Sequence, residues 1–117
     1  MTAYSAPLRD ISFALNEMGI LDSVASLPGC EEVNQELTDA IVEEAGKLAR
    51  DVLAPLNATG DQQGATIENG VVRTADGFKD AYQAFVEGGW PGIPFDPDHG
   101  GQGLPWLVTA ATMETWI

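Results

Sequence analysis

Apolar residues recur at helical spacing in several stretches of this chain, and breaks rich in glycine and proline separate them. Leu8, Ile11, Leu15 and Met18 form the first stripe, which predicts an amphipathic helix over about residues 7–18. Ser5 stands where a cap is expected, and Pro7 suits a first turn because its missing N–H would lack a partner there. Gly19 is placed to end this helix, residues 20–29 are mixed, and Pro28-Gly29 marks a turn. The longest helix is expected from about residues 31–34 to Leu53. Leu37, Ile41, Ala45, Leu48 and Val52 make its apolar side, with Glu36, Glu43, Glu44, Lys47 and Arg50 mostly elsewhere. Glu43 and Lys47 form an i,i+4 pair in the favourable order. Pro55 either kinks or ends the helix, since it lacks an amide hydrogen and its ring crowds the preceding turn.

Residues 57–75 read as a loop, punctuated by Asn57, Gly60, Asp61, Gly64 and Asn69-Gly70. Within it a small β-hairpin is expected around residues 65–73, because Asn-Gly supplies the positive φ angles of a two-residue turn. A lone hairpin is marginal and should lean on something else. Asp76 is expected to cap a third helix carrying Phe78, Ala81, Tyr82 and Phe85, which Gly88-Gly89 ends. A rigid connector follows, from Gly88 to Pro105, crowded with glycine and proline and holding Trp90 and the run Gly100-Gly101-Gln102-Gly103. The last helix starts near Leu104-Pro105. Trp106, Leu107, Met113, Trp116 and Ile117 leave it apolar on more than one side, so it requires burial on several faces. It carries no stop signal, and the chain reads as truncated there. The fold class is therefore mainly α, a helical bundle with at most one small hairpin.

Composition narrows the function classes. The 117 residues suit one domain or part of a larger one, and 44% hydrophobic content is ordinary for a globular chain. The balance of 18 acidic against 5 basic residues is not ordinary, giving a net charge of −13. Such a field repels nucleic-acid backbones and anionic lipid surfaces, so neither is an expected partner. The acidic residues are spread along the sequence, which fits a solvated outer face. The amino terminus lacks the basic start and apolar stretch of a signal peptide, and no apolar run is long enough to span a membrane, so a cytoplasmic location is expected.

Candidate chemistry is sparse. His99, the one histidine, could act as a base beside Asp96 and Asp98, but no serine or cysteine stands at a recognisable spacing from it. The same three residues match neither a zinc nor a calcium pattern. The glycine run before the last helix invites a phosphate, yet it is not GxGxxG, and no Lys-Ser/Thr follows. A structural glycine corner is the favoured reading. Cys30, the one cysteine, can form no internal disulfide, and Glu31 and Glu32 oppose a reactive thiolate. Phe78, Tyr82, Phe85, Trp90, Phe95 and Trp106 read as core and connector packing in preference to a stacking platform. No catalytic, cofactor-binding or metal-ligating residue is assigned.

An ordered set of motifs carries a family resemblance. Gly77-Phe78-x-x-Ala81-Tyr82, Gly89-Trp90, Pro94, Gly100-Gly101-Gln102-Gly103-Leu104-Pro105 and Glu114 resemble the amino-terminal helical domain of acyl-CoA dehydrogenases. Leu48-Ala49-x-x-x-Leu53-Ala54-Pro55-Leu56 with Gly60-Asp61 is similar to that domain's second helix and its exit. The opening, Tyr4-x-Ala6-Pro7-Leu8-Arg9-Asp10-x-x-Phe13-x-Leu15-x-Glu17, resembles the extension of the long bacterial members, among them dehydrogenases of sulfur-containing acyl-CoA thioesters. This implies residues 1–30 as an amino-terminal extension with one helix, and residues 31–117 as a partial helical domain truncated in its last helix.

In that family a carboxylate takes the α-proton of an acyl-CoA, FAD takes the β-hydride, and an electron-transfer flavoprotein collects the electrons. The resemblance implies FAD, acyl-CoA, that carrier and the enzyme's remaining domains as partners of the full-length protein, in a homo-oligomer serving fatty acid metabolism. It implies that this domain packs on the FAD domain and helps wall the acyl pocket. It transfers no catalytic or flavin-contacting residue to this chain, and Glu114 matches a structural position. The chain alone is expected to be inactive. The competing reading is a free-standing acidic helical interaction domain without catalysis.

Overall fold

A computed structural model describes residues 3–117. The first helix, α1, spans Leu8–Asn16, shorter than expected at both ends. Ser5 does not cap it: Pro7 occupies the cap position without a side-chain bond, and its carbonyl opens the ladder by accepting the Ile11 N–H. Gly19, at φ +74°, ends the segment by donating to the Asn16 carbonyl. It also starts a short helix that the sequence pattern did not foretell, α2 (Ile20–Ala25), by accepting the Ser23 N–H and hydroxyl. Among the described residues two helices, not one, therefore precede residue 30.

The longest helix, α3, spans Gln35–Leu48 and is capped by Asn34, whose side chain accepts the Leu37 N–H at 2.8 Å. Pro55 kinks the helical path instead of ending it. The backbone widens into a π turn over Ala49–Leu53, where the Ala54 N–H reaches back to the Ala49 carbonyl, and tightens into a 3₁₀ turn over Ala54–Leu56. A π turn removes the ordinary ladder at the point where proline could not have joined it. Helix α4 (Asn57–Gln63) then continues through residues expected to be loop. Gly60 admits the Phe78 ring there; a Cβ would meet that ring at 2.6 Å.

Strands β1 (Thr66–Glu68) and β2 (Val71–Arg73) form the expected antiparallel hairpin, with Ile67 opposite Val72. Asn69 and Gly70 take the required positive φ angles, +51° and +77°. Every residue of the hairpin is exposed. Helix α5 spans Phe78–Glu87. Its cap position is held by Gly77 at φ +87°, not by Asp76, whose N–H donates to the Gln63 side chain and ties α4 to α5. Helix α6 spans Trp106–Trp116.

The core is the seam between α3 and α6, and small residues make it. Thr38, Val42, Ala45, Gly46 and Ala49 are buried on one side, and Val108, Ala111, Thr112 and Thr115 on the other. Thr112 and Thr115 return their hydroxyls to the carbonyls of Thr109 and Thr112, which lets threonine sit in an apolar seam. Helix α1 closes one end, where Leu15 meets Val42 and Ala111, flanked by Leu8, Ile11 and Leu107. Only Ala45 of the apolar side expected for α3 lies in this seam; Leu37, Ile41, Leu48 and Val52 do not.

The molecule is a slab with extents of 53 × 38 × 16 Å and a radius of gyration of 16.7 Å. A compact domain of this length would have a radius of about 13 Å. With helices about 10 Å across, 16 Å of thickness leaves room for no more than two helix layers.

Candidate functional site

The connector between α5 and α6 is a hydrogen-bonded corner. The N–H groups of Gln102, Gly103 and Leu104 donate to the carbonyls of Gly92, Phe95 and Ile93, and that of Gly101 donates to Asp96. The Gln102 side-chain amide adds a bond to the Gly89 carbonyl at 3.1 Å. Glycine is required at several points of this corner, and two show why. Gly100 sits at φ +86°, and any Cβ on Gly101 would run into the Phe95 carbonyl. The corner brings Trp90 edge-on to Trp116 at 5.4 Å, and Trp116 in turn meets Phe85 at 5.1 Å. The Trp116 indole N–H donates to the Ala45 carbonyl at 3.2 Å, fastening α6 to α3.

Between the corner and α3 lies an open groove of about 640 Å³. Ile41, Leu48 and Val52 line one wall, Trp90 and Ile93 the other, with Glu44, Lys47 and Asp51 at the rim. Of the large apolar residues that the sequence pattern marks as the buried side of this helix, Ile41, Leu48 and Val52 thus face the groove, and Leu37 is exposed outside it. A second uncovered surface runs along α6. Trp106, Ala110, Met113 and Ile117 are all exposed and fall at intervals of four, three and four, one helical stripe opposite the buried seam. Trp106 is 65% exposed and Met113 44%. The sequence marks this helix as apolar all round, and the structure divides it into a seam of small residues and an outward stripe.

The other candidates fall apart in space or stay on the surface. Asp96, Asp98 and His99 occupy an exposed 3₁₀ turn in which the Asp96 carboxylate accepts the Asp98 N–H at 2.8 Å. Among the described residues no group of His, Cys, Asp or Glu comes together as a metal-holding cluster. The amide donors of the glycine run point inward: those of Gly100, Gly101, Gln102 and Gly103 are all spent on backbone carbonyls. No nest for a phosphate is left. Cys30 lies in the turn before α3, not at the helix start, and its N–H donates to Leu27. Tyr82, at 66% exposure, and Phe95 and Trp106 stand largely in solvent, so the aromatic set is only partly core. Glu114 is exposed on α6.

The charged groups of α3 pair along its outer side. Lys47 reaches both Glu44 at 2.6 Å and the expected Glu43 at 3.6 Å. The bond to Glu44, then that carboxylate's charge, holds the Lys47 ammonium above its ordinary range. The Arg50 guanidinium likewise holds the Asp51 carboxyl low through a hydrogen bond. Backbone amides, its own and that of Gly29, do the same for Glu31. All are exposed, so these interactions add little to stability; Glu44, Lys47 and Asp51 among them stand at the groove.

No helix among the described residues is long and apolar enough to cross a membrane. No family model matches the chain. Over 111 residues, 95% of its length, the chain is 40% identical to the 3-methylmercaptopropionyl-CoA dehydrogenase of Ruegeria pomeroyi, and it spans 19% of that protein. The likeness to an acyl-CoA dehydrogenase read from the motifs thus extends through nearly the whole of this chain.

Proposed function

We propose that this chain acts as the amino-terminal helical domain of a flavin-dependent acyl-CoA dehydrogenase, an enzyme that introduces a double bond between the α and β carbons of an acyl-CoA thioester. The observation that carries this reading is the 40% identity running through 95% of the chain and only 19% of the relative. The uncovered surfaces support it. Large apolar residues on α3 line an open groove, and α6 presents the stripe Trp106, Ala110, Met113 and Ile117. Contiguous exposed apolar surface marks an interface. In this reading the groove and the α6 stripe pack against the enzyme's remaining domains, and the domain helps wall the acyl pocket.

The chain's own residues do not fit FAD. A flavin dinucleotide carries a diphosphate that requires free amide donors or cations. Here the glycine run has spent its donors, and the one cation at the groove's rim, Lys47, is paired with Glu43 and Glu44 beside a further carboxylate, Asp51. The flavin, the catalytic carboxylate and the contact with an electron-transfer flavoprotein therefore belong to other parts of the full-length protein. This chain's contribution is positional: a locked corner sets α6 against α3, and α6 presents its outward stripe. The relative's substrate, a methylmercapto acyl thioester, is a first choice for assay.

Intact mass of the natural gene product tests this reading. A mass several times the 12.4 kDa of this chain is expected. A mass near 12.4 kDa would overturn it in favour of a free-standing interaction domain.

A further inference from the structure

The turn of the β1–β2 hairpin is Asn69-Gly70, and both residues, like the strands beside them, are exposed. Glu68 pairs with Val71 across the turn, which leaves the Gly70 N–H with no backbone partner among the described residues. A Cβ on Gly70 would meet nothing within 4 Å, so the space beside its nitrogen is open, and glycine itself puts no side chain there. The other asparagines are placed differently. The Asn16 side-chain amide donates to the Ser12 carbonyl at 2.9 Å, the Asn34 side chain caps α3, and Asn57 is followed by Ala58 inside α4. The base of the hairpin is fastened separately: the Asp76 N–H donates to the Gln63 side chain, and Phe78 fills the socket at Gly60.

We propose that Asn69 is a site of spontaneous covalent modification, losing its side-chain amide and passing in part to an isoaspartyl link. This holds whether or not the chain is part of a dehydrogenase. Asparagine is chemically labile, because the next backbone nitrogen can attack its side-chain carbonyl. The Gly70 nitrogen gives its proton to a base from solvent and bonds to the side-chain carbonyl carbon of Asn69. The bond from that carbon to the side-chain nitrogen breaks, ammonia leaves, and a cyclic imide remains. Water then opens the imide. Cleavage of the new bond gives an aspartyl residue. Cleavage of the original peptide bond gives an isoaspartyl residue, whose backbone runs through the side-chain carbon. No electrons change hands, and water is the only co-reactant. Attack requires rotation about the bond between the Asn69 Cα and its carbonyl, so the turn must open first. A hairpin of two three-residue strands, exposed throughout, opens at little cost. An isoaspartyl link lengthens the backbone of the turn, so Ile67 and Val72 lose their register, while the Gln63 bond and the Phe78 socket keep α4 and α5 in place.

Ageing the natural gene product at mildly alkaline pH, native and in urea, tests this. Trypsin cleaves after Arg50 and Arg73, so one peptide holds Asn57 and Asn69, and fragmentation separates the two. Deamidation is read as the mass gain at Asn69, and the isoaspartyl product by enzymatic methylation of its carboxylate. The native protein is expected to react at Asn69 within roughly tenfold of its rate in urea, because a marginal hairpin is often open. Asn16, Asn34 and Asn57 should lag behind. A larger gap at Asn69 means that the turn is held shut or covered, and overturns the proposal. Asn69→Gln carries the amide out of reach of the Gly70 nitrogen and should take up no methyl group after the same ageing. Methylation that persists in that variant places the reaction elsewhere and overturns the proposal too. Aged native protein should be cut faster after Arg73, with an unchanged melting temperature. A melting temperature that falls as isoaspartate accumulates contradicts the separate fastening of the hairpin's base.

Discussion

A Gly101→Val variant is expected to lose about 3 kcal/mol of stability, because the corner has no room for any side chain at that position. A Cβ on Gly101 would overlap the Phe95 carbonyl, and that carbonyl already accepts the Gly103 N–H at 2.8 Å. The clash is with backbone, so no rotamer change relieves it. The chain would have to open the ladder in which Gln102, Gly103 and Leu104 donate to Gly92, Phe95 and Ile93. Opening it frees the angle between α5 and α6, and the contact of Trp90 with Trp116 goes with it. Gly100→Ala provides the scale. Gly100 has the positive φ but open space around its Cβ position, so alanine there costs only the left-handed backbone penalty, about 1–2 kcal/mol. Thermal unfolding of the full-length protein should therefore rank the parent above Gly100→Ala and Gly100→Ala above Gly101→Val. Activity should fall only as the fold does. A Gly101→Val protein that melts with the parent yet turns over poorly would contradict the mechanical reading of the corner.

The second large effect is expected at Trp116. Its ring meets Phe85 and Trp90 edge-on, and its indole N–H donates to the Ala45 carbonyl. It joins α3, α5, the corner and α6. Trp116→Ala removes all of these contacts and leaves a void, at a cost of about 3 kcal/mol for a half-buried ring. Trp116→Phe keeps an aromatic edge for Phe85 and Trp90 and loses only the indole donor. The Ala45 carbonyl retains the Ala49 N–H, so the cost should be about 1 kcal/mol. Thermal unfolding of the two variants separates packing from hydrogen bonding. Equal destabilisation would mean that the indole bond, not the aromatic packing, holds the four elements together.

What was legible in the sequence was the backbone punctuation. Asn69-Gly70, Gly19 and Gly89 announce turns because only residues tolerant of positive φ sit there cheaply, and each does have positive φ. The interior was harder to read. Periodicity ranks residues by apolar size, so Leu37, Ile41, Leu48 and Val52 stood out on α3. The real seam is built from Thr38, Val42, Ala45, Gly46 and Ala49, whose small side chains let α6 approach closely. Large apolar residues report burial in the final assembly and cannot say which partner supplies it. Helix α4 was hidden by Asn57, Thr59 and Gly60, all poor helix formers. It persists as the continuation of the π turn, with Gly60 serving as the socket for Phe78. The six residues of α2 were too few for a period to show. The Tyr4 bond to Thr115 links the two ends of the chain, and no local pattern could reveal it.

The most direct test of the central claim, that these surfaces are interior faces of an acyl-CoA dehydrogenase, is an anaerobic titration of the natural gene product with acyl-CoA thioesters while its visible spectrum is recorded. The expected result is a flavin band that bleaches as thioester is added, through hydride transfer from the β carbon. A protein with no flavin band, or one whose band is indifferent to every acyl-CoA, would contradict it.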